Sequence, residues 1–170
     1  MLYIFSGLPG TGKSTLAAAL AQRRNAVHLR VDTIEQAIKS STGLEVGPEG
    51  YDVAYAVAAE NLGLGLDVVA DSVNSLEITR KAWQNVATTA QCAFVDIEII
   101  CSDSAEHRRR VESRTTTVQG LKLPSWEQVL ARDYLKWTEN HIVIDTAGET
   151  VEQSIHKMCT VLGVSVLFEL

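Results

Sequence analysis

Short apolar runs alternate along the chain with longer segments that carry apolar residues at helical spacing. The runs, at residues 2–5, 27–31, 67–71, 93–101 and 141–145, predict strands buried on both faces. Helices are predicted from about residue 13 and at residues 33–39, 51–64, 75–89, 104–114, 125–137 and 150–162. An apolar tail at 164–168 predicts an edge strand or a segment packed on the sheet. Strands separated by helices predict an α/β fold whose mostly parallel sheet is covered on both faces.

The composition is that of an ordinary globular chain with an acidic balance. The 170 residues are 46% hydrophobic and 21% charged, and we expect residues 1–170 to form one domain. A net charge of −6 argues against nucleic acid as a partner, and no apolar stretch reaches the about 20 residues of a membrane helix. We expect no signal peptide, and the widely spaced Cys92, Cys101 and Cys159 favour a reducing cytoplasm over disulfides or a metal site. The oligomeric state stays open.

A glycine-rich motif follows the first predicted strand. Residues 7–14 read GLPGTGKS, the complete phosphate-binding pattern G-x-x-x-x-G-K-[ST], and a strong helix former comes directly after it. In this context backbone amides turn inward around a phosphate chain, and the helix points the positive end of its dipole at the same group. The residues expected at the phosphates are Gly7, Pro9, Gly10, Thr11, Gly12, Lys13, Ser14 and Thr15. Lys13 would reach the terminal phosphates, and the Ser14 hydroxyl would bind Mg²⁺.

Three carboxylates lie at or just after the ends of predicted strands: Asp32, Asp71 and Asp145. Ligands of open α/β sheets bind at that edge, so these positions are candidates for chemistry. Asp32 either accepts the proton of an attacking hydroxyl or caps the following helix, where Thr33 is another expected cap. Asp71 ends an apolar run and either holds Mg²⁺ through water beside Ser14 or simply ends a buried strand. Asp145 is expected to be structural or to lie on the nucleotide-base side.

Arginines precede a break in the helical pattern at residues 115–124, and we expect a lid over about residues 111–124. Arg110 and Arg114 are four residues apart, so they are expected to share one helix face. A guanidinium on a closing segment stabilises the charge of a transferred phosphoryl group. Nucleotide and phosphate contacts are therefore assigned to Arg110 and Arg114, with Arg132 as a further candidate, whereas Arg108 and Arg109 fit a solvated face.

Aromatic residues recur at helical spacing in the predicted helix at 125–137. Trp126, Tyr134 and Trp137 form this stripe, and core packing is the favoured interpretation. Ser125 and Gln128 match the capping-box pattern, which predicts where the helix begins. Tyr51 and Tyr55 could line a substrate pocket, but core packing is favoured for them too.

The order of these motifs resembles the small P-loop kinases that phosphorylate metabolites and polynucleotide ends. The segments that carry the resemblance are GLPGTGKST at 7–15, RVD at 30–32, VVADSVN at 68–74, EHRRRVESR at 106–114 and HIVIDTAG at 141–148. The group includes gluconate and shikimate kinases, the polynucleotide 5′-kinase domain, chloramphenicol phosphotransferase and zeta-type toxins. The resemblance implies a P-loop NTPase three-layer sandwich with a five-stranded parallel sheet of order 2-3-1-4-5, ATP, Mg²⁺ and an arginine lid. It assigns hydroxyl activation to Asp32, lid contacts to Arg110 and Arg114, and adenine contacts to the region of Thr146.

We therefore expect an ATP-dependent kinase that transfers the γ-phosphoryl group to a hydroxyl of a small, neutral or weakly charged molecule. The expected catalytic residues are Lys13, Asp32 and Arg114, and the expected metal ligands are Ser14 and Asp71. Glu35 stands where several relatives carry Arg or Lys, which argues against a polyanionic acceptor. Two alternatives stay open. One is a polynucleotide 5′-end kinase, and the other is a nucleotide-binding NTPase or switch without an acceptor, with Gln119 as its candidate water-orienting residue.

Overall fold

A computed structural model describes residues 1–165, which contain five strands separated by one or two helices each, with seven helices in all. The strands are β1 (Leu2–Ser6), β2 (Val27–Arg30), β3 (Val68–Asp71), β4 (Phe94–Ile100) and β5 (Ile142–Asp145). The helices are α1 (Lys13–Arg24), α2 (Val31–Thr42), α3 (Glu49–Gly63), α4 (Glu77–Thr89), α5 (Ser104–Ser113), α6 (Trp126–Leu130) and α7 (Val151–Leu162). In the predicted apolar tail, residues 164 and 165 have no regular structure, and residues 166–168 lie outside the described part.

The sheet is fully parallel and has the order β2-β3-β1-β4-β5. The central strand β1 pairs on both sides, so that Leu2 is level with Val68 on β3 and with Phe94 on β4. Helical crossovers return the chain to the same end of the sheet before each new strand, which brings the carboxyl ends of the strands together at one edge. The α/β class and the strand order expected from the sequence are confirmed.

Two hydrophobic cores lie on opposite faces of the sheet. Along β1, Tyr3 and Phe5 belong to the core beneath α1 and α7, whereas Leu2 and Ile4 belong to the core beneath α3 and α4. This division follows from the two-residue period of a strand and produces the three layers. Among residues 1–165, no helix combines the length and the apolar character needed to cross a bilayer.

Helix α2 begins earlier than the sequence pattern indicates. It starts at Val31, directly after β2, with Arg30 as its N-cap and Gly43 as its C-cap. Val31 is 2% exposed and packs into the second core. Because this burial fixes the residue directly after β2, the helix begins there without an intervening loop. The prediction that Thr33 caps this helix is therefore wrong, and Asp32 lies in its first turn.

Helix α6 is much shorter than the predicted helix at 125–137. Its capping box of Ser125 and Gln128 is confirmed, but the helix ends at Leu130. Residues 131–141 instead run as an irregular strap across α4. Tyr134 and Trp137 therefore do not share a helix face with Trp126, which packs with Val111 and Val129 in a small separate cluster.

A buried arginine explains why the strap leaves the helical path. Arg80 on α4 is 4% exposed and lies 4.0 Å from the ring centroid of Trp137 and 5.3 Å from that of Tyr134. Its Nη2 donates to the carbonyl of Leu135 at 2.8 Å, and its Nε donates to the carbonyl of Asn74 at 3.0 Å. A desolvated guanidinium held by aromatic faces and carbonyls outweighs the local helix preference of the strap.

Trp83 tests the second core. It is completely buried, its ring centroid lies 4.6 Å from that of Tyr55, and its Nε1 has no hydrogen-bond partner. We expect Trp83→Ala to lower the free energy of unfolding by about 3–5 kcal/mol because it leaves a cavity. Trp83→Phe should cost much less, since it also removes the unpaired N–H. Urea unfolding measures both, with Ile78→Ala on the exposed face of the same helix as control; equal losses for the two Trp83 variants would contradict this account.

Candidate active site

The P-loop, residues 7–14, is clamped between β4 and α5. Gly7 has φ +144°, and a Cβ there would come within 2.3 Å of the Ile99 carbonyl oxygen on β4. Gly10 has φ +90°, and its Cβ would lie 2.5 Å from Cγ2 of Val111 on α5. His107 on α5 also donates from Nε2 to the carbonyl of Pro9 at 2.9 Å. Glycine is required at both positions, and the loop has little room to change shape.

The amino end of α1 faces open space above this loop. Its N-cap is Gly12, with no side-chain cap, so the amides of Lys13 and Ser14 are free for a ligand, whereas the Thr15 amide donates to the Gly12 carbonyl at 3.1 Å. Thr11 points back instead, donating from Oγ1 to the carbonyl of Leu8 at 3.0 Å. Together with the helix dipole, this is an anion-binding geometry.

Lys13 and Asp71 form a buried ion pair between the P-loop and the end of β3. Lys13 is 7% exposed and Asp71 is 1% exposed. Burial raises the pKa of Asp71, but the Lys13 ammonium and hydrogen-bonding neighbours outweigh burial and hold the pKa well below its usual range. Asp71 is therefore an ionised carboxylate that holds Lys13 in place at the end of the P-loop.

Further polar groups surround the second oxygen of Asp71. Oδ2 lies 3.5 Å from Nε2 of His28 and 3.9 Å from Nε of Arg30, and it has no hydrogen bond of good geometry. Asp32 lies beyond Arg30, with its Oδ2 3.7 Å from Nη2 of that arginine. The structure thus places Asp32 in the first turn of α2 beside the Lys13–Asp71 pair. The N-cap of α2 is Arg30 and not Asp32, so the capping alternative fails.

Arg110 belongs to a network on the other side of the P-loop. Its guanidinium donates to the Thr146 hydroxyl at 2.8 Å and to the Thr146 carbonyl at 2.9 Å, and it is paired with Glu106 at 2.6 Å. The Thr146 hydroxyl lies 2.9 Å from the carbonyl oxygen of Thr11, and the second oxygen of Glu106 accepts from the Gly148 amide. Thr146 is 3% exposed, so its side chain ties the P-loop to the loop after β5; contact with adenine stays a prediction.

Arg114 lies just beyond the last turn of α5. As the C-cap it has extended backbone angles, so the expected helix face shared with Arg110 does not exist. Its half-buried guanidinium faces Asp32 and Arg30, and burial lowers the pKa of Arg114. The two arginines therefore lie in different parts of the site. Arg110 is held by Thr146 behind the P-loop, whereas Arg114 lies near Asp32.

One cavity of about 940 Å³ joins these groups. Its walls come from the P-loop, residues 28–35, Tyr51, Ser72, Val73, Arg110, residues 114–117 and 121–124, and Arg132. The cavity is lined by four of the predicted site residues: Lys13, Ser14, Asp32 and Arg114. The exposed Gln119 does not line it. Asp145 does not line it either, and its carboxylate accepts hydrogen bonds from the backbone amides of Ser102 and Ala147.

Several site residues were missed by sequence reasoning. Arg30 ends β2, and the ends of parallel strands are where ligands bind, so its position could have marked it as a site residue. Glu106 is four residues before Arg110, which is the spacing of a helical ion pair. Ser72 carried no local signal, because only tertiary packing brings it to the cavity. Tyr51 both packs against the second core and lines the cavity, so the two interpretations given for it from the sequence hold together.

The fold is shared with solved structures of low sequence identity. A protein from Chloroflexus aurantiacus provisionally named a kinase is 21% identical with a TM-score of 0.70, covering 94% of this chain and 96% of that chain. A gluconokinase from Sinorhizobium meliloti is 16% identical with a TM-score of 0.65, covering 95% and 90%. The APS kinase CysC of Mycobacterium tuberculosis, solved with AMPPNP and APS, is 14% identical with a TM-score of 0.64, covering 95% and 96%.

The sequence comparison agrees with this likeness. A search of the curated proteins finds no significant match. The sequence pattern of the AAA domain family, in contrast, matches residues 2–134, which include the P-loop, Asp32, Asp71 and Arg114. The chain therefore belongs to the AAA domain family, and its fold confirms the predicted resemblance to the small P-loop kinases.

Proposed function

We propose that this protein is an ATP-dependent kinase that transfers the γ-phosphoryl group to a hydroxyl of a small molecule. The observation that carries the proposal is the shared cavity, in which the phosphate-binding loop and the carboxylate of Asp32 face the same space. A neighbouring structure is named a gluconokinase and another an APS kinase, which is consistent with a small acceptor.

The nucleotide side of the proposed site uses the P-loop. The free amides at the start of α1 bind the phosphates, and Lys13 exchanges part of its interaction with Asp71 for the terminal phosphates of ATP. Arg110 and Thr146 border the nucleotide behind the loop. Most of the rate enhancement then comes from positioning and electrostatics.

The residues present fit a magnesium ion. Hard oxygen ligands suit Mg²⁺, and the Ser14 hydroxyl lies near Asp71, whose buried Oδ2 lacks a good hydrogen bond. Among residues 1–165, no three His, Cys, Asp or Glu side chains cluster as a metal site, so phosphate oxygens and water would complete the coordination. When bound, the ion would neutralise phosphate charge; Ser14 and, through water, Asp71 would hold it.

Asp32 serves the acceptor side of the proposed site. Its carboxylate accepts the proton of the acceptor hydroxyl as the oxygen forms its bond to the γ-phosphorus, and the bond from that phosphorus to the β,γ-bridging oxygen breaks to release ADP. Arg114 donates to the transferred oxygens, where its charge stabilises the transition state.

The irregular segment at residues 114–124 is the proposed lid, whereas residues 111–113 of the range expected from the sequence belong to α5. It supplies Arg114 and much of one cavity wall, and it touches α2, since a Cβ at Gly120 would lie 2.7 Å from Nε2 of Gln36. Closing this segment over the substrates would exclude water from the reaction. A nucleotide switch without an acceptor is less well supported, because the exposed Gln119 does not line the cavity and the cavity continues past the P-loop to Asp32.

Lys13→Ala tests the nucleotide side. We expect MgATP affinity to fall about tenfold to a hundredfold, since a charge-assisted contact to phosphate is lost, and phosphoryl transfer to disappear. Isothermal titration calorimetry with MgATP measures the affinity, circular dichroism checks folding, and Lys136→Ala, an exposed lysine on the strap, is the control. Unchanged MgATP affinity in a folded variant would refute the nucleotide assignment.

Asp71→Asn tests the buried ion pair through its pH dependence. A carboxylate whose folded-state pKa is depressed stabilises the fold above the unfolded-state value, near 3.9, and loses that stabilisation as the pH falls. We expect the variant to be about 3–5 kcal/mol less stable at pH 7, because Lys13 is left buried without its partner. Below about pH 4 the difference should shrink, because Asp71 takes up a proton in the unfolded wild-type chain while it is still ionised in the folded one. Urea unfolding between pH 7 and pH 3 measures it, with the exposed Asp133→Asn as control; a difference independent of pH would argue against the pair.

Asp32→Asn tests the acceptor side. The amide keeps the shape but cannot take a proton, so we expect kcat for transfer to fall by about 10²–10⁴ while the Kd for MgATP stays within about twofold. Labelled ATP and a panel of hydroxyl compounds measure the transfer, and Asp52→Asn on the exposed face of α3 is the matched control. If transfer is normal in the Asp32 variant, this residue has no role as a base.

A further inference from the structure

A second carboxylate lies one helical turn beyond Asp32. Glu35 is three residues further along α2, which places it on the same helix face, and both residues line the cavity. Neither Lys13 nor the magnesium-binding groups of the proposed site require Glu35. Phosphoryl transfer alone therefore does not explain why Glu35 lies next to Asp32 in the cavity.

The side chain of Glu35 packs against helix α3. A Cβ at Gly50, in the first turn of α3, would lie only 2.2 Å from Cγ of Glu35 and 3.2 Å from its Oε1. The glutamate thus occupies the space that the missing side chain of the buried Gly50 leaves. Packed against α3 in this way, the side chain of Glu35 is half-buried, unlike that of an ordinary surface glutamate on a helix.

The carboxylate of Glu35 lacks partners that would offset its burial. Within residues 1–165, it forms no hydrogen bond and no ion pair inside 4.0 Å, and its opposite-charge neighbour is the more distant Arg132. Burial raises the pKa of Glu35, and the Asp32 carboxylate raises it further, although Arg132 lowers it. Acceptor oxygens held half-buried without donors are costly, and a ligand that brings hydroxyl donors would satisfy them.

Each cation near Glu35 already faces a negative group, so none of them is left over to bind an anionic acceptor. Arg30 lies between Asp32 and Asp71, Arg132 faces Glu35, and Arg114 faces the phosphoryl group in the proposed reaction. An additional anion on the acceptor would meet two carboxylates, and an ammonium would meet the three arginines. The hydroxyls of Tyr51 and Ser72 on the same cavity favour a neutral, hydrogen-bonding ligand.

We propose that Glu35 is an acceptor-binding residue and that the acceptor is a neutral polyhydroxylated compound. Asp32 holds the hydroxyl that is phosphorylated, while Glu35 accepts hydrogen bonds from a second hydroxyl and sets the orientation. Glu35 takes up no proton in the reaction. This inference rests on the proposed kinase function and adds the class of its acceptor.

Matched pairs of hydroxyl compounds test the proposal. Labelled ATP is used with sorbitol against gluconate, glycerol against glycerol phosphate, and ribose against ribose phosphate, so that one member of each pair carries a carboxylate or phosphate; propanol is the monohydroxyl control. We expect the neutral polyol of a pair to have the higher kcat/KM, and propanol to be inactive. In Glu35→Gln the KM of the best polyol should rise about tenfold, which corresponds to about 1.4 kcal/mol. Its kcat should stay within about threefold, and its MgATP affinity and thermal unfolding should match those of the control Glu60→Gln.

The outcomes separate this inference from the kinase proposal. Preferential transfer to the anionic members, or an unchanged polyol KM in Glu35→Gln, overturns the role of Glu35 and leaves the kinase proposal intact. Failure to phosphorylate any compound, with MgATP bound, counts against both the kinase proposal and its acceptor class. A lower kcat without a change in KM would show that Glu35 acts on the chemical step and would also overturn the proposal.

Discussion

The buried pair of Lys13 and Asp71 is the interaction around which the site is arranged. An ammonium at the start of α1 would be costly to bury alone, and Asp71 at the end of the neighbouring strand supplies the compensating charge. The pairing of β1 with β3 is what brings the two residues together, so the sheet order has a direct electrostatic consequence. A phosphate ligand competes for the same ammonium. The pair therefore keeps the Lys13 ammonium in position while leaving it able to exchange Asp71 for a phosphate.

The charge of the cavity differs from that of the chain. The protein has a net charge of −6, yet six of its 15 lysines and arginines line the cavity, against the two carboxylates of Asp32 and Glu35. Field lines in a concave site of low dielectric constant concentrate this positive potential where a polyphosphate would bind. Net charge was a useful guide to the type of partner but a poor guide to the site, because the acidic residues lie mostly elsewhere on the surface.

The sequence allowed prediction of those features that depend on short-range patterns. The buried strands, the glycine loop and the capping box of Ser125 depend on neighbouring residues, and the structure confirms them. The length of α6 does not depend on neighbouring residues alone, because Arg80 on α4 contacts Trp137 and donates to the carbonyl of Leu135 in the strap. The same reason accounts for Arg114: its helix ends one residue earlier than the spacing indicated, since residues 114–125 cross the cavity instead of continuing the helix. Asp32 was assigned to the strand end and lies in a helix, yet it reaches the cavity, because a sheet edge and the first turn of the next helix are adjacent.

The two halves of the site are encoded in different ways. The proposed phosphate binding relies on main-chain amides and on glycines that Ile99 and Val111 leave no room to replace, so a local motif is enough to predict it. The proposed acceptor binding relies on side chains from separate elements, such as Glu35 on α2, which fits only because α3 carries glycine at position 50. A single substitution on α3 can therefore move a carboxylate on α2 without touching the nucleotide. This separation allows acceptor choice to change while the P-loop and the Lys13–Asp71 pair stay the same.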